Sequence, residues 1–223
     1  MQTKHLPADE RRQRTVEAVV ELAGTQNPSD ITTAAIAEHM SVTQGALFRH
    51  FPSKDAIWET VMEWVAARLL DRVDRAASSQ SSPLGALRAV FDSHIDFVIE
   101  HPGVPRMMFG ELQHAEATAA KKVARGLMRR YAERLTVRLE EARQLGEVAG
   151  ETDCRAAAIL FIGMIQGLVM QSMLSGNIVS ARNKSAAVFD IYLRGVARPG
   201  GATQNGRGTR GAVGKGPRSG NKG

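Results

Sequence analysis

The chain has 223 residues, of which 43% are hydrophobic and 23% are charged, and its formal net charge is +6. This composition is typical of a soluble globular protein and excludes disorder along the whole chain. The length allows one compact body with a small additional domain, but not two full-sized domains. The single cysteine, Cys154, excludes an internal disulfide and a site built from paired cysteines. The polar N-terminal stretch lacks the apolar core of a signal peptide, so we expect a cytoplasmic protein.

The net positive charge belongs to the C-terminal tail. Residues 1–197 contain equal numbers of acidic and basic residues, and every excess positive charge follows Ala197. The overall charge therefore does not indicate that the folded part binds nucleic acid. The tail, residues 198–223, is basic, rich in glycine and poor in bulky apolar residues, so we expect it to be disordered. Its charge agrees either with a role in solubility or with non-specific phosphate binding.

The N-terminal third of the chain predicts a helix-turn-helix. Apolar residues at helical spacing indicate a first helix over residues 8–24. Two short helical segments follow at 33–40 and 43–51, and only Ser41 and Val42 separate them. Such a short break requires a sharp corner, after which the second helix is free to lie in a DNA major groove. The head is expected to close its core with Val42 and the apolar residues of the third helix, which are Leu47, Phe48 and Phe51.

The rest of the chain also predicts helices. Thr32 and Ser53 are expected to cap the second and fourth helices, and the fourth is expected to continue to about Ala77 as a lever into the body. Five further helices are predicted near residues 83–101, 104–114, 117–145, 152–174 and 183–196. No segment alternates with the period of a strand. We therefore predict an all-α protein of about nine helices, with a three-helix DNA-binding head (8–68; helix-turn-helix 32–51) and a helical-bundle body for dimerisation and effector binding (69–197).

A dense motif runs from Thr32 to Lys54. Its members are Thr32, Thr33, Ile36, Ala37, Val42, Thr43, Gly45, Leu47, Phe48, His50, Phe51 and Lys54. In type and spacing they resemble the DNA-binding domain of the TetR family of bacterial transcriptional regulators. This resemblance implies a homodimer that binds a palindromic operator, with the last two helices forming a four-helix dimer bundle. The motif departs from the family at Phe48, where a Tyr hydroxyl usually meets a phosphate, and at Ser41, where Gly is frequent in the turn.

Physical chemistry assigns roles within this head. Thr43, Gln44 and Gly45 begin the third helix, where side chains reach base edges, and the Gln44 amide can pair with adenine. Arg49 is suited to guanine or to phosphate, whereas Thr33, His50 and Lys54 suit phosphate contacts. The predicted DNA-binding residues are Thr32, Thr33, Thr43, Gln44, Gly45, Phe48, Arg49, His50 and Lys54.

The body is rich in methionine, which is typical either of an adaptable apolar pocket or of ordinary core packing. The residues predicted for a pocket that holds a small apolar effector are Met107, Met108, Phe109, Met128, Phe161 and Met164. Those predicted for the dimer interface are Phe161, Ile165, Leu168, Phe189, Tyr192 and Val196. The apolar stretch 156–174 approaches the length of a membrane span, but Gln166 and Gln171 inside it favour a buried helix, so no membrane partner is expected.

These patterns predict a sequence-specific DNA-binding regulator, acting as a ligand-responsive repressor on double-stranded DNA. The alternative is a DNA-bound dimer that acts through a protein partner without a small effector. We expect neither an enzyme nor a cofactor nor a metal site. Glu111 and His114 form one Glu-x-x-His unit, but di-iron bundles use two such units. His94 lies on an apolar stripe, which predicts a hydrogen-bonded core histidine.

Overall fold

The computed structural model describes residues 8–197, which form nine α-helices and one short 3₁₀ turn. The helices are α1 (Ala8–Thr25), α2 (Thr33–His39), α3 (Gln44–Phe48), α4 (Lys54–Ser78), α5 (Pro83–Glu100), α6 (Gly103–Gln113), α7 (Ala119–Gln144), α8 (Cys154–Leu174) and α9 (Ser180–Val196), and the 3₁₀ turn is Pro28–Asp30. The predicted all-α class is confirmed, and the predicted tail, 198–223, lies outside the described residues. In the described range, extended backbone pairs only in one bridge between Val148 and Ala197.

Polar side chains fix where the helices of the head begin. Thr32 accepts a hydrogen bond from the backbone amide of Ala35 at 3.0 Å, and Ser53 accepts one from Ala56 at 3.2 Å. Each cap contributes about 1 kcal/mol because it satisfies an amide that has no partner inside its helix. The predicted caps at Thr32 and Ser53 are confirmed.

The corner between α2 and α3 depends on one residue in the left-handed region. Ser41 has a φ of 54°, which glycine adopts freely and a residue with a Cβ adopts at some cost. The backbone amides of Ser41 and Val42 donate to the carbonyl groups of Glu38 and Ala37, both at 2.9 Å. These bonds hold the turn in place, so Ser41 keeps the geometry for which glycine is common at this position.

The head packs around a small core in which Ile36, Leu47 and Phe51 are at most 3% exposed. Two residues predicted for this core lie outside it, since Val42 is 40% exposed and Phe48 is 44% exposed. Helix α3 has only five residues, little more than one turn, and therefore offers few inward positions. Leu47 occupies the inward position, and Phe48 is left at the surface.

Helix α4 joins the head to the body. It has 25 residues and begins directly after the helix-turn-helix, so it extends over roughly 37 Å. In the body it packs against α5 and α7. The boundary predicted between residues 68 and 69 therefore falls inside one continuous helix that the two parts share.

The body is built around a cluster of aromatic side chains from α5, α7, α8 and α9. Neighbouring ring centroids in this cluster lie 5.2–6.5 Å apart. Its members are Phe91, Tyr131, Phe161, Phe189 and Tyr192. Each is at most 3% exposed, and burial of one such side chain stabilises the fold by about 1.5–3 kcal/mol.

Helix α8 is the most apolar helix of the body. Among the described residues, it is the one helix long and apolar enough to cross a membrane by length and composition. It packs against α7 and α9, which agrees with the prediction of a helix that its own body covers in part.

Candidate DNA-binding surface and ligand cavity

The start of α3 forms an exposed surface on the head. Thr43 Oγ1 accepts a hydrogen bond from the Ala46 amide at 3.2 Å and so fixes the first turn of this helix. Thr43, Gln44 and Gly45 are exposed, and a Cβ built on Gly45 would meet no other atom within 4 Å. This turn is therefore left uncovered by the described part of the chain.

The two helices of the helix-turn-helix are linked by a side-chain hydrogen bond. Gln44 Nε2 donates to Thr33 Oγ1 at 2.6 Å. This bond orients the Gln44 amide, which still keeps one N–H and its carbonyl oxygen for a bidentate contact with adenine. Two residues predicted separately for DNA binding thus form one unit.

Basic side chains lie at the edge of this surface. Lys54 Nζ donates to the Ser29 carbonyl at 3.1 Å and lies 4.8 Å from the centre of the Trp58 ring. Arg11 NH1 donates to His50 Nε2 at 3.1 Å. Lys54 and His50 are therefore held in place by the head before any DNA is present.

The other predicted contacts are also accessible. Thr32, Phe48 and Arg49 are all exposed. Phe48 presents a ring that can pack against DNA but cannot donate a hydrogen bond to a phosphate. Thr32 uses its hydroxyl oxygen as the α2 cap, and its hydroxyl proton remains available to a phosphate.

Two arginines of α1 were absent from the predicted set. Arg11 contacts His50, and the Arg12 guanidinium carbon lies 5.7 Å from the centre of the Phe51 ring. The sequence carried a signal for them in the basic run at residues 11–14. This run is not apparent when charge is counted over residues 1–197 as a whole, because acidic and basic residues are equal in number there.

A cavity of about 80 Å³ lies between α4, α5, α6, α7 and α8, and we call it the ligand cavity. Its lining is apolar except for His94 and Gln166. The lining residues are Val65, Leu69, His94, Phe97, Val98, Val104, Pro105, Met108, Phe109, Leu127, Met128, Ile162, Ile165, Gln166 and Val169.

Half of the predicted pocket residues line this cavity. Met108, Phe109 and Met128 do so, whereas Met107, Phe161 and Met164 do not. Met107 and Phe161 are at most 1% exposed and belong to the packed core. Met164 is partly buried against the same core. Neighbours on a helix point in directions about 100° apart, so Met107 and Met108 have different environments.

His94 is a buried histidine on the wall of the ligand cavity. Its Nδ1 lies 3.1 Å from the hydroxyl oxygen of Tyr131, which confirms the prediction of a hydrogen-bonded core histidine. Burial lowers the pKa of His94 to about 4 and raises the pKa of Tyr131. Both side chains are therefore neutral at neutral pH.

Comparison with known proteins agrees with this architecture. Residues 16–61 match the family model for bacterial regulatory proteins of the tetR family, and residues 83–188 match the model for the tetracyclin repressor-like C-terminal domain. The chain belongs to the TetR family. It is a DNA-binding transcription regulator; the first model matches residues within the head, and the second matches residues within the body.

Similar proteins include two nucleoid occlusion factors named SlmA. The one from Photobacterium profundum is 30% identical over 184 residues, which cover 82% of this chain and 91% of the relative. The one from Vibrio campbellii is 27% identical over 183 residues, with the same coverage of 82% and 91%.

Solved structures share the TetR-family fold at low identity. The fatty acid degradation regulator FadR from Bacillus halodurans has a TM-score of 0.75 at 16% identity, and the match covers 86% of this chain and 98% of that one. FadR from Bacillus subtilis, in complex with stearoyl-CoA, has a TM-score of 0.73 at 17% identity, covering 82% and 98%.

The residues predicted for the dimer interface lie inside this TetR-family protomer. Phe161, Ile165, Leu168, Phe189, Tyr192 and Val196 are each at most 5% exposed in the single chain. Side chains that their own chain covers cannot supply surface to a partner, so the prediction selected the wrong side of α8 and α9. Apolar residues occur on all sides of α8, and the sequence alone does not show which side is covered.

The opposite side of these two helices is apolar and uncovered, and we call it the α8–α9 face. It carries Ile159, Leu160, Met170 and Leu174 of α8, which are 49–84% exposed, and Ile191 of α9, which is 63% exposed. A Cβ built on either Gly163 or Gly167 would meet no atom within 4 Å, so both glycines border open space. Exposed apolar patches of this kind mark interaction sites.

Both residues of the Glu-x-x-His unit, Glu111 and His114, make contacts within the protein. Glu111 is 4% exposed and accepts a hydrogen bond from Thr118 Oγ1 at 2.6 Å. His114 Nε2 lies 4.0 Å from the other carboxylate oxygen of Glu111. In the described part of the chain, no group of three or more His, Cys, Asp or Glu residues is placed to hold a metal ion.

Proposed function

We propose that the protein binds a palindromic DNA sequence in the cytoplasm as a homodimer, with one α3 helix in each half-site. The observation that carries the proposal is the exposed first turn of α3. Thr43 caps this turn, and Thr33 of α2 orients its Gln44 side chain. Gln44 is assigned to base readout through adenine, and Thr43 and Gly45 allow close approach to the bases. Phosphate contacts are assigned to residues at the edge of this surface: Thr32, Thr33, Arg49, His50 and Lys54.

The α8–α9 face supplies the dimer interface in this proposal. A symmetric dimer places the same patch of both protomers in contact, and Gly163 and Gly167 allow the helix backbones to approach closely. Association would cover Leu160, Leu174 and Ile191, which are otherwise more than half exposed. The resulting two-fold axis relates the two heads, which explains a palindromic binding site.

Selection of DNA from a random pool by the purified full-length chain tests this function. We expect the selected sequences to contain two inverted half-sites at a fixed spacing of about one helical turn or a multiple of it. Sedimentation of the protein on the selected duplex should give two chains per site. Selected sequences without inverted symmetry, or binding by a single chain, would contradict the proposal.

The ligand cavity supports regulation by a small apolar effector. Val65 and Leu69 of α4 line the cavity, and the same helix begins at Lys54 in the head. A ligand that binds one arrangement of α4 more tightly would shift the population toward it and change the distance between the two heads. We therefore propose a ligand-responsive repressor.

A second candidate function is control of a protein partner by the DNA-bound dimer. The ligand cavity, at about 80 Å³, is smaller than the roughly 300–1,000 Å³ usual for small-molecule sites. A groove of about 450 Å³ lies between α1, α4 and α5 and contains Trp64 and Arg68, and the Arg68 guanidinium carbon lies 5.7 Å from the Trp64 ring centre. This groove offers an aromatic surface and charges of both signs, from three arginines and three glutamates, to a peptide with apolar and charged side chains.

Site-specific photo-crosslinking in cells distinguishes this second candidate. A photoreactive side chain at Arg68 should form an adduct with one defined protein, whereas the same group at Arg106, which is exposed on α6, should not. The adduct should depend on Trp64. No adduct at Arg68, or the same adduct at both positions, would reject the groove as a partner site.

A further inference from the structure

The ligand cavity contains one hydrogen-bonding group that folding does not use. His94 Nδ1 is satisfied by Tyr131 at 3.1 Å, but in the described part of the chain Nε2 has no protein partner. His94 lines the cavity whereas Tyr131 does not, so the phenol lies behind the imidazole. The other polar lining residue, Gln166, is on the exposed side of α8.

The partner of Tyr131 determines which nitrogen of His94 carries the proton. Tyr131 is 1% exposed, and its hydroxyl proton must be donated to an acceptor because leaving a buried donor unsatisfied costs about 1–3 kcal/mol. His94 Nδ1 is the acceptor within hydrogen-bonding distance. A neutral imidazole that accepts at Nδ1 carries its proton on Nε2. The cavity wall thus presents one N–H donor.

The lining contains no Lys, Arg, Asp or Glu. A charged ligand group would lose its hydration in this cavity without gaining an opposite charge, which is strongly unfavourable. The cavity volume also limits the size of the ligand. One water molecule requires about 10–15 Å³ of cavity volume. A cavity of 80 Å³ therefore accommodates on the order of six non-hydrogen atoms unless Met108 and Met128 move.

We propose that the ligand cavity binds a small, neutral, mainly hydrocarbon molecule that carries one acceptor oxygen, and that this oxygen accepts a hydrogen bond from Nε2–H of His94. A ketone or an ether has this chemistry, and a carboxylate does not. The inference rests on the proposed ligand response and adds the class of effector. In this proposal His94 makes the cavity prefer a ligand with an acceptor oxygen over a pure hydrocarbon. Tyr131 is the positioning residue that fixes the tautomer of His94.

Nuclear magnetic resonance on the full-length protein without DNA tests this inference. The probes are 2-hexanone, its hydrocarbon comparator hexane, and the similarly sized ions pentanoate and hexylammonium. We expect 2-hexanone to shift the methyl resonances of Met108 and Met128, and both ions to bind at least tenfold more weakly. The imidazole nitrogen spectrum of the wild type should show the Nε2–H tautomer of His94.

The variant His94→Phe keeps a ring but lacks the donor. It should bind 2-hexanone roughly three- to tenfold more weakly and leave the affinity for hexane unchanged, because one neutral hydrogen bond contributes about that factor. Tighter binding of pentanoate than of 2-hexanone, an Nδ1–H tautomer, or no methyl shift with 2-hexanone would overturn the inference. All three of these outcomes are measured on wild-type protein and do not depend on how the variant folds.

Release of DNA is measured separately. If 2-hexanone binds as described but does not change DNA affinity, the inference on the cavity stands and the proposed ligand response fails. If another molecule releases DNA while 2-hexanone does not bind, the inference fails and the ligand response stands.

Discussion

Replacement of Gly103 by alanine should weaken the packing between the head and the body and destabilise the protein. Gly103 begins α6, which packs against α1. A Cβ at this position would lie 2.1 Å from the Val20 carbonyl oxygen, 2.9 Å from the Gly24 amide nitrogen and 3.0 Å from the Ala23 Cβ. The two nearest of these atoms belong to the backbone of α1, so no side-chain rotation relieves the contact.

The loss of stability in Gly103→Ala depends on how far α1 and α6 must move apart. A contact of 2.1 Å must open by roughly 1 Å to become acceptable, and overpacking of this kind costs about 1–3 kcal/mol. Helix propensity offsets at most about 1 kcal/mol of that cost. We expect a net loss of about 2 kcal/mol, which lowers the melting temperature of a chain of this length by roughly 4–8 °C.

Gly110 provides the matched control because it lies on the same helix. The nearest atom to a Cβ built there is Pro28 Cβ at 4.0 Å, so Gly110→Ala should stabilise the protein by about 0.5–1 kcal/mol. Both variants are compared by urea unfolding at one protein concentration, because the proposed dimerisation would couple stability to concentration. Equal midpoints for the two variants would refute the reasoning about close packing at Gly103.

Four further outcomes are expected. Lys54→Ala should weaken binding to all DNA sequences and reduce the salt slope by about one, measured by titration at several salt concentrations. Gln44→Ala should relax preference at one base position per half-site, seen in repeated DNA selection. Leu160→Glu should give helical monomers in sedimentation because it places a charge in the α8–α9 face. His94, whose pKa burial lowers to about 4, binds protons more readily when unfolded. The stability that neutral His94 confers is therefore complete above about pH 6.5 and is lost toward pH 4, by on the order of 3 kcal/mol, whereas His94→Phe should lack this dependence in unfolding measured across that range.

The head was predictable because its signals are local. Thr32 and Ser53 cap helices through bonds to residues three positions later, and the corner at Ser41 spans only a few residues. What escaped prediction is which side of a short helix faces inward. Phe48 and Leu47 are adjacent and both apolar, and only the packing of α3 against the rest of the head, including α2, decides that Leu47 is the buried one.

The body was predictable in its helices but not in its surfaces. Every predicted helix boundary after residue 80 agrees with the structure within three residues, because proline, glycine and polar residues mark the ends. Helix α8 is apolar on all sides, so its periodicity contains no information on which side packs inward. Phe161 and Ile165 were assigned to a partner for this reason, and Leu160, which is 55% exposed, was not.

In the proposed ligand response, binding in the cavity affects DNA binding through the contacts between the body and the head. Val104 and Pro105 of α6 line the cavity, and Gly103 before them lies so close to α1 that a Cβ there would be 2.1 Å from the Val20 carbonyl oxygen. At the other end of the head, Lys54 ties the start of α4 to the Ser29 carbonyl in the 3₁₀ turn between α1 and α2. Helix α6 therefore contacts the head through α1, and the start of α4 is tied to the 3₁₀ turn of the head, so a shift of either helix should move the head. A ligand should then change the distance between the two α3 helices of a dimer, while the hydrogen bond between Gln44 and Thr33 within each head remains intact.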